Sequence, residues 1–414
     1  MSGQRHGAAA PDDAVITGLG VAAATGLGTE EHWNATVKGA SGIGPIRRHD
    51  ASGYPCRLAG EVPGFDPADH LSGRLLPQTD RMTQLALAAS DWALADAGLD
   101  PATLDEYGMG VVTASASGGF EFAQKELQSL WSKGPRHVTA YQSFAWFYAV
   151  NSGQISIRHG LRGPSGVLVT GQAGGLDALA HARRQLRAGA SAMLTGGMEA
   201  PLSPWGLVSQ LTSGRLSTRD EPGRAYVPFD SAACGHVPGE GGALLVMERA
   251  EAARARGARV LGTFAGYCAT FDPAPETGRP PGLRRAIQGA LDDAGTEPDA
   301  IDVVFADAAG VRALDTAEAE ALEAVFGGRP VPVTAPKTMT GRLASGGAAL
   351  DVASALLAMR DAVVPPTLHV TTPAADAPAG LVRDTARPMP VRSALIVARG
   401  HGGFNAAAVL RAAG

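Results

Sequence analysis

The sequence predicts an α/β protein, on three observations. Short apolar runs alternate with longer amphipathic segments along the whole chain, as strands feeding helices do. One stretch, Gly166-Val-Leu-Val-Thr-Gly-Gln-Ala-Gly-Gly-Leu-Asp-Ala-Leu179, reads as a buried strand passing through a sharp glycine turn straight into a helix. The 414 residues are enough to bury a large core, and single intertwined α/β units reach this length.

Taken in order, candidate buried strands lie at Val15–Thr17, Met109–Thr113, Val167–Thr170, Ala192–Thr195, Ala243–Met247, Val260–Tyr267, Ile301–Ala306, Ser393–Ala398 and Ala406–Leu410. The first opens Val15-Ile-Thr-Gly-Leu-Gly-Val-Ala-Ala23, a loose match to a dinucleotide fingerprint. No apolar strand ending in Asp or Glu follows at the roughly 20 residues that fingerprint needs. The segment therefore reads as a strand followed by a tight glycine turn, with no nicotinamide cofactor. A helix starts at the capping pair Thr79–Asp80 and ends before Gly98, with Leu85, Ala88, Ala89 and Trp92 spaced to bury one face. A second runs from Phe120 to Ser132 and is stopped by Gly134–Pro135. A third runs from Ala173 to Arg187 and stops at Gly189. The charged segment Glu248–Arg259 reads as a helix and its exit, where a protein of two halves would join them. Asp272–Pro281, rich in Pro and Gly, reads as a surface loop. No internal repeat is visible, and diverged structural halves would leave none.

Composition narrows the function by exclusion. Hydrophobic residues make up 45% and charged residues 18%, the profile of a soluble globular protein. A net charge of −5 gives no reason to expect nucleic acid. The start, Met1 to Asp13, is polar and lacks the apolar core of a secretory signal. No run reaches the roughly 18 apolar residues of a membrane span. The three cysteines, Cys56, Cys234 and Cys268, have no metal-site spacing and read as buried reduced thiols of a cytoplasmic protein. A phosphate loop, an HExxH zinc motif and a GxSxG elbow are all absent. The ten histidines are scattered, and only those in Gly-rich settings, such as His401, stay open as functional residues.

The strand–turn–helix at 166–179 carries the chemistry. It places residue 172 at a helix N-terminus, where free N–H groups and the helix dipole favour an anion and where many enzymes keep a nucleophilic Cys or Ser. Here the residue is Gln172. A carboxamide is not deprotonated near neutral pH, so covalent catalysis fails at this point, and a helix-capping role is the simplest account.

This stretch resembles the active-site elbow of the β-ketoacyl synthases, in which a Cys takes the acyl chain as a thioester. Further blocks match in order. Val304-Phe-Ala-Asp-Ala-Ala-Gly310, continuing to Asp315 and Glu318, resembles the block of the first catalytic His, and Asp307 occupies that position. Pro336-Lys-Thr-Met-Thr-Gly-Arg342 resembles the block of the second; Lys337 is kept and Arg342 replaces the His. Ala398-Arg-Gly-His-Gly-Gly-Phe-Asn405 resembles the C-terminal glycine-rich loop, and Phe229-Asp230 with Gly239-Glu-Gly-Gly242 another shared turn. The resemblance spans residues 15 to 410. It implies the thiolase fold, a five-layered αβαβα sandwich of two similar halves, 1–250 and 251–414. Decarboxylative condensation needs a thiolate and imidazoles, and Gln172, Asp307 and Arg342 supply neither. Gln at the elbow marks the chain length factor, the ketosynthase beta subunit of bacterial type II aromatic polyketide synthases, which the segment Ser143–Arg158 also resembles. Asp307 and Arg342 are expected to form a buried ion pair if the fold brings them together.

The resemblance implies no cofactor of the chain's own. The poly-β-ketone is carried on the phosphopantetheine of an acyl carrier protein, acidic in this family and suited to a basic patch. The expected partner is a Cys-containing ketosynthase alpha subunit in a heterodimer, with a tunnel at the interface that limits chain length. Phe120, Ala123 and Leu127, at i, i+3 and i+7 of one helix, and Trp205 align with tunnel positions; a helix buried for any reason would show the same stripe. Some relatives making shorter chains are bulkier at the last two helix positions, so a product longer than an octaketide is expected. A role for Gln172 in malonyl decarboxylation during priming stands beside its capping role. The aromatic run Phe144-Ala-Trp-Phe-Tyr148 is either partner-facing or core. Two rival readings remain: a self-sufficient ketosynthase or thiolase, which needs a thiol near residue 172, and a structural scaffold subunit without length control.

Overall fold

The computed structural model describes residues 13–414, so the polar start read at Met1–Asp13 lies, apart from Asp13, outside the described residues. Ten strands follow one continuous path. The first five are β1 (Ala14–Ala23), β2 (Met109–Ala114), β3 (Ser165–Leu168), β4 (Ala192–Glu199) and β5 (Gly241–Arg249). The second five are β6 (Gly262–Phe271), β7 (Val303–Phe305), β8 (Val333–Thr334), β9 (Ser393–Arg399) and β10 (Phe404–Ala412). Their order is β3-β2-β4-β5-β1-β6-β10-β9-β7-β8. Counted outward from the middle, each set of five repeats one order. Both begin with antiparallel pairs and end with parallel ones. The two sets meet only where Val15 pairs with Thr263 and Ile16 with Gly262. The duplication that sequence comparison within the chain missed is therefore present in the topology.

Eight helices matter to the site: α1 (Arg81–Ala97), α2 (Phe120–Lys133), α3 (Val150–His159), α4 (Gly174–Arg187), α5 (Pro204–Leu211), α6 (Leu283–Ala294), α7 (Arg312–Phe326) and α8 (Ser345–Asp361). α1 and α3 cover the outer face of the first five strands, and α6 and α7 that of the second. α4 and α8 lie between and touch strands of both sets. This is the five-layered thiolase arrangement. Strand alternation sorts the side chains: Ala243, Leu245 and Met247 of β5 and Ala394, Ile396 and Ala398 of β9 enter the central core. Their neighbours Leu244 and Val246, or Leu395 and Val397, enter the two outer cores. Both faces are apolar because both are covered.

Several local expectations change. The glycine turn expected after Thr17 is absent, and β1 runs on to Ala23. Gly18 and Gly20 instead admit α1: a Cβ on Gly20 would stand 1.9 Å from the Ala89 carbonyl oxygen. Gly266 of β6 serves α6 in the same way, with a Cβ 2.2 Å from the Ala290 oxygen. Asp80 caps α1 as expected, although α1 buries more than one face. The strand expected at Val167–Thr170 ends at Leu168. Glu248 and Arg249 stay in β5, which leaves a helix of only Ala250–Ala255. All three cysteines are free, yet only Cys56 is buried; Cys234 is exposed and Cys268 half-buried. Among the described residues no helix is long and apolar enough to cross a membrane, and no cluster could hold a metal ion.

Candidate functional site

β3 leads into the elbow. Gly171 takes φ 58, which a side chain would resist, and a single 3₁₀ turn passes into α4. Gly174 and Gly175 let α4 approach α8; a Cβ on Gly175 would lie 2.6 Å from the Ala349 nitrogen. Gln172 therefore faces the N-terminus of α8. With its amide assigned by its partners, the carboxamide donates to the Ala344 carbonyl at 2.8 Å and accepts from the Ala344 N–H at 3.0 Å. Ala344 sits at φ 45 and ψ −127, a backbone state costly for a residue with a Cβ, and the paired amide braces it there.

Across the cleft the two expected charges meet. Arg342 Nη2 lies 2.8 Å from Asp307 Oδ1, with side chains 6% and 3% exposed. Arg342 Nη1 also donates to the Asp307 carbonyl at 2.6 Å, and the Arg399 N–H donates to Asp307 Oδ1 at 2.9 Å. Burial pushes the Asp307 carboxyl up, but attraction to Arg342 and Arg399 outweighs it and holds the group below the usual range. Behind it, Glu318 accepts from the N–H groups of Asp307 and Ala308 at 2.7 and 2.9 Å. Burial and the neighbouring Asp307 push Glu318 up to about 7. Burial also pushes Asp315 up to about 7, where it accepts from the N–H groups of Gly310 and Phe229. Lys337 pairs with Asp351 at 2.8 Å and donates to the Ala306 carbonyl.

These groups border an open cleft of about 250 Å³, lined by Gln172, Asp307 and Arg342 and also by Arg215, His236 and Arg399. His401 stands on its lining as well. Burial and Arg342 push His236 down to about 3, so it is neutral. None of the three cysteines lines the cleft. The cleft is open, has no nucleophile at its elbow, and carries the buried Asp307–Arg342 ion pair on its wall. Arg215, His236 and Arg399 were not singled out from sequence: they come from separate loops and strand ends with no common spacing.

The tunnel candidates sit elsewhere, along α2 and α5. Phe120 stacks on Trp205 with ring centroids 5.1 Å apart, and Gln124 accepts from the Trp205 N–H at 2.8 Å. Leu127 and Trp205 line an open groove with Gln124, Gln128 and Trp131. Ala123, 1% exposed, is not on that lining. Gln124, Gln128 and Trp131 were missed, though Gln124 and Trp131 stand at i−3 and i+4 from Leu127, and Gln128 one turn on from Gln124. In the aromatic run, Trp146, Phe147 and Tyr148 are 44%, 39% and 40% exposed, whereas Ala145 is buried and Phe144 partly so.

The model of the beta-ketoacyl synthase N-terminal domain matches residues 12–253, and that of its C-terminal domain residues 261–371. The tetracenomycin polyketide synthase ketoacyl synthase beta subunit of Streptomyces glaucescens is 62% identical over 404 residues, 97% of this chain and 99% of the relative. Among solved structures, the ishigamide ketosynthase/chain length factor superposes with a TM-score of 0.88 at 29% identity, covering 98% of this chain and 100% of the other. A type II polyketide synthase acyl carrier protein in complex with its ketosynthase bound to the hexaketide gives 0.86 at 27%, covering 97% and 100%. By both its fold and these matches the chain belongs to the beta-ketoacyl synthase family, alongside the ketoacyl synthase beta subunits of type II polyketide synthases.

Proposed function

We propose that this chain is the non-condensing, length-setting subunit of a cytoplasmic type II polyketide ketosynthase heterodimer. The carrying observation is the elbow: Gln172 is a carboxamide engaged on the Ala344 backbone, so carbon–carbon bond formation falls to a partner that keeps its Cys. Three features support a partner face. Trp146, Phe147 and Tyr148 are exposed. β3 is a terminal strand, half-buried, whose outer edge no other strand pairs among the described residues. The groove along α2 and α5 is apolar and open. A ketosynthase laid over these surfaces would roof the groove into a tunnel for a poly-β-ketone delivered on the phosphopantetheine of an acyl carrier protein.

In this reading the polyketide grows until it meets the wall formed by Leu127 and Trp205, the latter stacked on Phe120. Leu127 and Trp205 face the groove directly, while Ala123 is buried and does not. Leu127, smaller than an aromatic side chain, leaves room there for a product longer than an octaketide. Leu127→Phe, coexpressed with the partner subunit and carrier protein, should shorten the polyketide as read by mass spectrometry. An unchanged product length would remove length control and leave a scaffold role. The purified chain alone should stay unacylated by malonyl-carrier protein; acylation would return it to the self-sufficient enzymes.

A further inference from the structure

α2 has little core to hold it. Of its 14 residues Ala123 alone is buried, so packing, which fixes α1 and α8, contributes little to where α2 sits. Polar contacts fasten its N-terminus instead. Asp80, 2% exposed, accepts through Oδ1 from the Met82 N–H in the first turn of α1 at 2.8 Å. Its Oδ2 accepts from the Phe122 N–H at 2.9 Å, one of the first-turn amides that α2 cannot satisfy by itself. The residue preceding α2 is Gly119, which has no side chain to offer. One carboxylate therefore caps two helices, and both N-terminal dipoles favour its charge.

The approach to α2 is fitted to this contact. Glu199, fully buried at the end of β4, accepts from the Ala116 N–H and the Ser117 hydroxyl. The Gly119 N–H donates to the Trp146 carbonyl at 3.0 Å. A Cβ on Gly119 would lie 2.9 Å from the Asp80 Cβ and 2.2 Å from the Ala145 oxygen, so a bare backbone is what lets α2 reach Asp80.

We infer that Asp80 is a positioning residue for chain-length selection: it transmits the rigid placement of α1 to α2 and so fixes where Leu127 stands in the groove. This rests on the tunnel reading of α2 given above. The test uses the full heterodimer carrying Asp80→Ser, which keeps a cap for α1 but cannot bridge to both helices, and Asp80→Asn, which keeps the shape with one acceptor oxygen. Hydrogen exchange and product lengths are both measured, with Leu127→Phe in parallel. Amides in the first turn of α2 should exchange about fivefold faster or more in Asp80→Ser, those of α1 should not change, and the product should spread over more than one length. Unchanged protection of α2 overturns the inference. So does a single unchanged product length in a background where Leu127→Phe shortens it. Should Leu127→Phe leave the product as it was, the tunnel reading fails, and the exchange data still decide whether Asp80 places α2. Loss of fold in both Asp80 variants also overturns it, since Asp80 would then support the core as a whole.

Discussion

Removing the Asp307 carboxylate would leave the Arg342 guanidinium ionised at a side chain only 6% exposed. Asp307→Ala should therefore cost about 3–5 kcal/mol in urea unfolding, and adding Arg342→Met should recover most of it. Glu318 behind the pair, and Glu199 at the end of β4, titrate with the opposite sign to Asp307. Burial pushes Glu199 and Glu318 up to about 7 from a usual 4.5, so the folded chain keeps protons that the unfolded chain has already lost. Stability should then fall as pH rises from about 5 to about 7, seen as a lower urea midpoint, and Glu199→Gln should flatten that slope. Asp307, held low, contributes stability above the unfolded carboxyl value and loses it only as pH falls through its own depressed value. Gln172, Asp307 and Arg342 were legible as substitutions because each sits in a sequence block with a recognisable spacing. That Gln172 braces Ala344 was not, since the two residues lie far apart in the chain and meet only through the packing of α4 on α8.

Glycine has two uses that a single sequence does not separate. Gly18 and Gly20 looked like a turn, yet they are flat strand surface on which α1 rests. Gly20→Ala would drive a Cβ to 1.9 Å from the Ala89 oxygen and should destabilise by about 1–3 kcal/mol or more. Gly153, in α3, is exposed and meets nothing within 4 Å; Gly153→Ala should stabilise by about 0.5–1 kcal/mol in the same assay. The elements that sequence shows best are those with contrast. α1 has a cap, a stop and a periodic apolar stripe, and its bounds were read almost to the residue. α8 has none of that contrast: Ser345 through Ala358 are buried on every side, so its Ala- and Gly-rich run carries no polar face to mark a period. β8 is two residues long, below what alternation can reveal.

At the scale of the molecule, the thiolase fold was legible because resemblance covered the chain from end to end, while the repeated strand order was not, because the two sets of five share topology and little sequence. The proposed partner face makes its own prediction. Trp146→Glu combined with Phe147→Glu places two charges among exposed aromatics and should weaken association by tenfold or more, read by co-purification with the ketosynthase, with little change in the subunit's own unfolding. The two ends of the ten-strand path also differ. β8 is buried and stitched to the chain's own segment 380–382, Val333 donating to the Gly380 carbonyl and accepting from Val382; among the described residues β3 has no such cover. A sheet that can be extended from one end only cannot propagate. Growth by edge pairing would stop after the first addition, so an assembly built through β3 would be a closed pair rather than a fibre.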